Sequence, residues 1–325
     1  MTTGTAEAAG ISIIVATRNR AERLSTLFDS FSRLEHPDFP FDIIVVDNGS
    51  SDGTAAEVDR LAKNLSVPVT CLSEPRVGVS HARNAGTKAS TRRLVAFVDD
   101  DQSVASDWLA AANRAFAEHA DVGAVCGRVL PRFATVPPGW LAGIQGAAGI
   151  IDRGPEPFRV TTSRWMCLPG GNMAWRRSTL LDVGGFSPKC RRSEDRELTV
   201  RYLLSGGTAL YTPDMVTYHH IPSDRLTKRY FRSWHVTEGY MRAGFAAEEL
   251  FTADGALRPI PDDVPKWFGV STFVYRRWLK EIARSALYRM RLRPDDALRH
   301  EMQALMLTSY LRGRIEQCWA GRTGS

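Results

Sequence analysis

The feature that most constrains this chain is a regular alternation, through its first half, of short β-rich apolar runs with helical patterns. ISIIVAT (11–17), DIIVVD (42–47), VTCLSE (69–74) and RLVAFVDD (93–100) read as four strands. The segments from about Ala21 to Leu34, then AAEVDRLAKNL, VSHARNAGTKAS and the region of DWLAAANRAFAEH, read as the helices between and after them. This βα rhythm predicts an α/β fold, a mostly parallel, Rossmann-like sheet flanked by helices. In such sheets ligands collect at the carboxyl ends of the strands. Thr17, Asp47, Glu74 and Asp99 stand there, so topology alone gathers acidic residues on one edge.

From about Val122 the rhythm changes. A strand, VGAVCGRVLP, leads into a Pro/Gly-rich loop through 137–156. WMCLPGGNMAWRRS, a helix opening near SEDREL, and the strand-like DMVTYHH follow. After Pro222 the chain turns basic and aromatic, DGALRPIPDDVPKW reads as a linker, and helices run to about residue 319. The expected division is a catalytic domain over 1–225 and a helical C-terminal region over 226–325. Within that region WFGVSTFVYRRWLKEIARSALYRMRLR interleaves cations with aromatic and aliphatic residues. Its apolar side suits docking on the rest of the protein or on a second subunit, a homodimer, and its charge suits an anionic membrane surface.

Composition sets limits. Hydrophobic content of 43% and charged content of 24% are those of a soluble globular protein. A formal charge of +6 over 325 residues gives no ground for nucleic acid as a partner, though it favours anionic substrates or surfaces. The five cysteines are scattered and odd in number, with no CxxC, so neither a disulfide framework nor a zinc site is expected. MTTGTAEAAG lacks the pattern of a signal peptide, and no apolar run approaches the ~20 residues of a spanning helix. A cytoplasmic protein, at most peripheral at the inner face of the membrane, is the expectation.

VAFVDDDQS (95–103) sets three consecutive carboxylates, Asp99, Asp100 and Asp101, behind the fourth apolar run. They repel one another and are stable together only where something positive compensates. A helix cap needs one carboxylate, and Ser103 or Asp107 suits the next helix. Three at a strand's carboxyl edge point to a divalent-cation or ribose site, since hard cations take oxygen ligands. One chemistry for such a cluster is metal-assisted departure of a nucleotide diphosphate. Another is attack on phosphate by Asp99 itself, as in phosphatases of the haloacid dehalogenase type. Those carry their Asp-x-Asp on the first strand, whereas three strands precede Asp99 here. A non-catalytic glycan- or nucleotide-binding module is a further alternative.

Six segments in series, ISIIVATRNRAERL, DIIVVDNGSSDGT, GVSHARNAG, FVDDDQ, GGNMAWRR and SEDREL, resemble the family 2 glycosyltransferases of the GT-A fold over roughly residues 10–225. HHIPSDRLTKRYFRSW is similar to a pattern in non-processive bacterial members linked to polysaccharide assembly. The resemblance implies an inverting transferase using a nucleotide-sugar donor, most often a UDP-sugar. The acceptor would be a hydroxyl of a saccharide, a lipid-linked sugar or a small molecule, and the cofactor Mn2+ or Mg2+.

By this resemblance Ala16, Thr17 and Arg18 line the nucleotide base and Asp47 accepts a hydrogen bond from it. Gly78 permits close backbone approach, and Arg83 with Asn84 meets base or phosphate, to which an arginine fork is suited. Asp99 faces the ribose, Asp101 with Asp99 holds the metal, and Asp100 points away or assists. Gly170, Gly171 and Asn172 wall the donor sugar and acceptor, while Trp175 reads as core. Glu194 and Asp195 fall in the first turn of a helix that Ser193 suits as a cap, where the helix field favours ionised carboxylates. Asp195 is the expected general base. Alternation lets only one of His219 and His220 reach the site, and His219 is the expected further metal ligand or phosphate contact. Asp52, amid turn formers, reads as a structural cap.

Overall fold

The computed structural model describes residues 7–35, 38–252, 255–260 and 263–320. The first residues of MTTGTAEAAG and parts of the expected linker lie outside them. Each of the four apolar runs forms a strand: β1 (Ala8–Thr17), β2 (Phe41–Asp47), β3 (Val69–Ser73) and β4 (Arg92–Val98). Between them lie α1 (Leu24–Phe31), α2 (Thr54–Ala62) and α3 (Val79–Ala89). β1 pairs in parallel with both β2 and β4, and β2 with β3. β1, β2 and β4 are apolar on both sides because both faces are covered, whereas β3, at the sheet edge, has no fully buried residue. Ile11, Ile13 and Val15 pack in one core with Leu24, Leu27 and Phe28, while Ile44 and Val46 meet Ala82 of α3 in another. Register sets Thr17 level with Asp47, and Asp47 level with Ser73, so these strands end together.

The later elements are β5 (Gln102–Val104), α4 (Trp108–Glu118), β6 (Ala124–Phe133), β7 (Phe158–Val160), β8 (Asn172–Arg176), α5 (Arg177–Asp182), α6 (Glu194–Leu204) and β9 (Ala209–Ile221). The sheet runs β3-β2-β1-β4-β8-β6-β9-β5, with β7 also on β9. Its parallel part is thus extended by antiparallel strands, and two of those pairings build the site. β8 runs against β4 with Asn172 opposite Val98, which brings the loop before Asn172 against the residues after Val98. β9 runs against β5 with His219 opposite Gln102, which brings His219 next to Asp101.

Two compact units divide the chain: 1–132 with 151–220, and 133–150 with 221–325. The second contains α7 (Lys228–Ala243), a hairpin of β10 (Lys266–Trp267) and β11 (Val270–Ser271), α8 (Thr272–Met290) and α9 (Pro294–Ala320). α7 and α8 both pack on α9. Val270, Val274, Leu307 and Tyr310 form one of its cores, and Leu141, Ile144, Phe231 and Met302 another. Part of the Pro/Gly-rich loop is therefore core of this unit. The segment expected as a linker lies inside it too, with Leu257 buried and Pro265 O accepting from Thr272 N. The buried Glu249 accepts from Ser271 N and Oγ at 3.0 and 2.7 Å, from Tyr310 OH at 3.0 Å and from Arg314 Nε at 2.8 Å. Among the described residues no helix is long and apolar enough to cross a membrane, and all five cysteines are free thiols.

Candidate active site

The three aspartates diverge. Asp100 turns back to β1, where Thr17 Oγ1 donates to its Oδ2 at 2.8 Å, with Arg20 at 3.8 Å. Burial pushes its carboxyl up to about 6, against the opposing effect of the Thr17 hydroxyl. Thr17 therefore serves the aspartate cluster and caps no helix. Asp99 turns towards α3, where Arg83 Nη2 donates to its Oδ1 at 2.8 Å. Its side chain keeps 41% of its surface. Enclosure raises its pKa first, Arg83 opposes, and the neighbouring Asp101 adds to the rise. Asp101 Oδ2 lies 3.6 Å from His219 Nε2. His220 points elsewhere, with its Nε2 2.9 Å from Ser103 Oγ, and burial holds its pKa below the ordinary imidazole value.

Arg83 is the hub. Its side chain is buried under the Phe186 ring, and its Nη1 donates to Glu194 Oε1 at 2.8 Å while Nη2 holds Asp99. One guanidinium thus ties the carboxylates after β4 to the first turn of α6. Arg83 was expected to offer its fork to base or phosphate; here both tines are occupied by protein carboxylates. Burial raises the Glu194 carboxyl above the usual range although Arg83 opposes it. Asp195, next in the chain, stands differently. Its Oδ2 accepts from Gly170 N at 3.0 Å and its Oδ1 from Arg196 N at 2.7 Å, and it is only half-buried. Ser193 occupies the N-cap position of α6, but its side chain makes no cap hydrogen bond, and its φ of 59° is a left-handed conformation rare for serine.

The glycine pair is dictated by crowding. A Cβ on Gly170 would meet Arg83 Nη1 and Nη2 at 2.8 Å, and one on Gly171 would meet Asp99 Oδ2 at 2.6 Å. Only a residue without Cβ lets this loop lie against the Arg83–Asp99 pair. Gly78, with φ +143°, opens α3, and its N–H donates to Asn48 Oδ1 at 2.7 Å.

Several of the other expected site residues have partners within the protein. Asn172 is fully buried: its Oδ1 accepts from Trp108 Nε1, and its Nδ2 donates to Arg128 O and Met215 O, all at 2.8 Å. Its amide therefore acts as a strut between β8, β6, β9 and α4. Asn84 is likewise spent on Phe186, donating to its O at 2.7 Å and accepting from its N at 2.9 Å. Ala16 packs in the core cluster beneath the edge, while Arg18 is exposed and Asp47 Oδ1 accepts from Ser50 N at 3.0 Å. Asp52 accepts from Thr54 N at 3.0 Å. Trp175 is core, its ring edge-on to Tyr202. At Glu74 the Arg76 guanidinium holds the carboxyl down at about 2.

Sequence reading passed over Asn48, whose amide donates to Glu74 O and Arg76 O and so shapes the loop into α3. It also passed over Gln102, buried beside Asp99, with Oε1 unpartnered among the described residues. The strand-edge position of Asn48, directly after Asp47, was the available signal for the first. Nothing in the sequence marked the second.

Asp99, Asp101, His219 and the carboxylates at the start of α6 thus stand together at the carboxyl ends of the parallel strands, a grouping whose chemistry suits group transfer with a charged leaving group. Residues 12–183 match the model of Glycosyl transferase family 2, and the chain belongs to that family. It is accordingly a glycosyltransferase. It is 26% identical over 232 residues to the succinoglycan biosynthesis protein ExoM of Rhizobium meliloti, covering 69% of this chain and 72% of that one. It is also 26% identical over 201 residues to the glucosyl-dolichyl phosphate glucuronosyltransferase of Haloferax volcanii, covering 58% of this chain but only 59% of that one. Among solved structures, the mannosyltransferase PcManGT of Pyrobaculum calidifontis, in complex with GDP-Man and Mn2+, superposes with a TM-score of 0.60 at 21% identity. The alignment covers 95% of this chain and 87% of that one. S. aureus TarS 1-349 in complex with UDP gives 0.54 at 18% identity, over 97% and 92%. These likenesses establish the GT-A fold.

Proposed function

We propose that the protein transfers a sugar, with inversion, from a nucleotide-sugar donor, UDP-sugar favoured, to a hydroxyl of a saccharide, lipid-linked or small-molecule acceptor. We assign donor binding and chemistry to residues 1–225, acceptor or assembly contacts to 226–325, and the cytoplasm as the compartment. The observation that carries this reading is the Arg83 bridge, which holds the donor-side carboxylate Asp99 and the start of α6 in one cleft.

Geometry separates the two acids of α6. Glu194 is buried and committed to Arg83, whereas Asp195 is half-buried and its carboxylate, among the described residues, accepts from two backbone N–H groups. Each Asp195 oxygen therefore keeps a lone pair for an acceptor hydroxyl. Asp195 takes the hydroxyl proton as the acceptor oxygen forms its bond to the anomeric carbon and the bond from that carbon to the diphosphate breaks. Attack from the face opposite the nucleotide inverts the centre. Thr17, Arg18, Asp47 and the loop at Gly78 are assigned to the nucleotide end of the cleft.

The residues present fit a divalent cation. Asp101 Oδ2 and His219 Nε2, 3.6 Å apart, are one oxygen and one nitrogen donor, with Asp99 beside them. Among the described residues no closed cluster of three or more ligands exists. A partial set of this kind suits a cation whose shell is completed by substrate phosphates and water. Mn2+ or Mg2+ held there supplies Lewis-acid stabilisation to the departing diphosphate. The Mn2+ in the PcManGT complex supports the assignment. The phosphatase alternative loses ground because Asp99 Oδ1 is engaged by Arg83 and the strand before it is the fourth.

Calorimetric titration with UDP, GDP, dTDP and CMP, with Mn2+ and again with EDTA, tests the reading. Metal-dependent binding of one nucleotide, lost in Asp101→Ala, is the expected result. Absence of binding to all four in the presence of Mn2+ overturns it.

A further inference from the structure

α8 has two apolar sides, and only one is used. On the packed side Val274 and Ser285 are buried, Trp278 Nε1 donates to Thr308 Oγ1 at 2.9 Å, and Ser285 Oγ donates to Ala297 O at 3.0 Å. On the adjoining side, about a quarter-turn round the helix, Leu279, Ile282 and Met290 keep 56%, 42% and 75% of their surface. With Ala286 they recur at steps of three and four, the spacing of a single helix face. Leu287 borders this stripe, and Leu292 continues beyond the helix end, 88% exposed.

The stripe extends past the start of α8 as well. Tyr275, four residues before Leu279, donates its OH to Trp267 O at 3.0 Å, and its ring lies 5.8 Å from the Trp267 ring. Trp267 and Phe268, at the tip of the β10–β11 hairpin, are 62% and 65% exposed. Phe268 has φ +47° and Gly269 φ +78°. A two-residue turn of that shape ordinarily carries Asn-Gly or Asp-Gly, so a phenylalanine there is held outward at a conformational cost. A continuous apolar band thus runs from the hairpin tip along α8. Soluble monomers rarely leave such a band bare.

Charge indicates what covers it. Residues 272–293 hold seven cations, Arg276, Arg277, Lys280, Arg284, Arg289, Arg291 and Arg293, against the single carboxylate Glu281. That net +6 equals the formal charge of the whole chain, so the remainder sums to zero. The ion pairs of this segment among the described residues are made by Arg277, Arg284, Arg289 and Arg293, not by Arg276, Lys280 or Arg291. Two copies meeting through this face would bring like charges together, which disfavours a symmetric dimer. An anionic lipid surface meets both demands. Aliphatic and aromatic groups enter the boundary between headgroups and acyl chains, and long basic side chains reach the phosphates.

We propose that the band formed by Trp267, Phe268, Leu279, Ile282 and Met290 docks this protein on an anionic bilayer, with α8 lying in the interface without crossing it. The proposal is independent of the donor-site reading, and vesicle binding does not depend on turnover. The test is flotation of the full chain with vesicles of phosphatidylglycerol and phosphatidylcholine, and with pure phosphatidylcholine, at low and high salt. Expected is binding to the anionic vesicles at low salt, at least tenfold weaker at high salt or on pure phosphatidylcholine. The variant Leu279→Glu/Ile282→Glu/Met290→Glu, altered only at exposed positions and checked by circular dichroism, should reduce partitioning at least tenfold. Arg276→Gln/Lys280→Gln/Arg291→Gln should weaken low-salt binding while leaving the fold untouched. No preference for anionic vesicles, or retention of binding in the apolar variant, overturns the proposal. So does a dimer in sedimentation equilibrium that Leu279→Glu dissociates, since a second copy would then cover the face.

Discussion

Replacing Arg83 by methionine asks whether one buried cation organises the cleft. In Arg83→Met an aliphatic stem still packs against Phe186, but Asp99 and Glu194 both lose their counter-charge. Removing one partner of a buried ion pair costs about 3–5 kcal/mol. Asp99, with 41% of its side chain exposed, recovers much of its hydration, whereas Glu194 retains only 11%. The loss then falls mainly on Glu194 and belongs near the lower bound, about 3 kcal/mol. For a unit of this size that lowers the melting temperature by roughly 6–12 °C. Its pH dependence has a definite sign. Burial already raises the Glu194 carboxyl above its ordinary 4.5, and losing Arg83 raises it further. A carboxyl with a folded pKa above its unfolded value contributes stability below the unfolded value and loses it as pH rises through the folded value. The deficit of the variant is therefore smallest near pH 4.5 and grows past neutrality. Thermal melts followed by circular dichroism across that range measure it. Arg83→Lys should restore only part, because an ammonium cannot fork to both carboxylates. A deficit under about 2 °C, flat with pH, would refute the reasoning.

Asp195→Asn should lower kcat by roughly 10²–10⁴-fold while nucleotide affinity by calorimetry stays unchanged; parallel loss of both would remove Asp195 from the chemistry. Gly171→Ala drives a methyl group against Asp99 and Gln102, at a cost of about 1–3 kcal/mol in stability, and nucleotide affinity should fall with it. Wild-type affinity in that variant would mean the loop does not border the donor. Asn172→Leu strands the Trp108 indole N–H and the carbonyls of Arg128 and Met215. At about 1–3 kcal/mol for each unsatisfied group, urea unfolding should show at least ~3 kcal/mol lost, with nucleotide affinity intact in the folded fraction. A stable variant that fails to bind nucleotide would return Asn172 to the donor site.

The parallel strands were legible because β1, β2 and β4 are continuous apolar runs followed by a polar residue, as at Thr17 and Asp47. The antiparallel extension was not, since alternation reveals a strand but not its direction or neighbour. That is why pleating could separate the directions of His219 and His220, while the pairing of His219 opposite Gln102 could not be foreseen. Asn84, Asn172 and Arg83 share another reason. Their residue types suit both ligands and buried backbone partners, and only tertiary placement shows which atoms are already engaged. The Pro/Gly-rich stretch 137–156 reads as loop from local propensity. The burial of Leu141 and Ile144 within it depends on α7 and α9, far along the chain.

The single guanidinium between Asp99 and Glu194 makes the two ends of the cleft thermodynamically linked. Positive charge arriving beside Asp99 draws that carboxylate away from Arg83 and leaves more of the guanidinium's field for Glu194. The helix that carries Asp195 is thereby tied to Asp99 through one side chain. Such linkage is reciprocal. If the donor binds beside Asp99 and the acceptor beside Glu194, as proposed, each changes the other's affinity by the same factor.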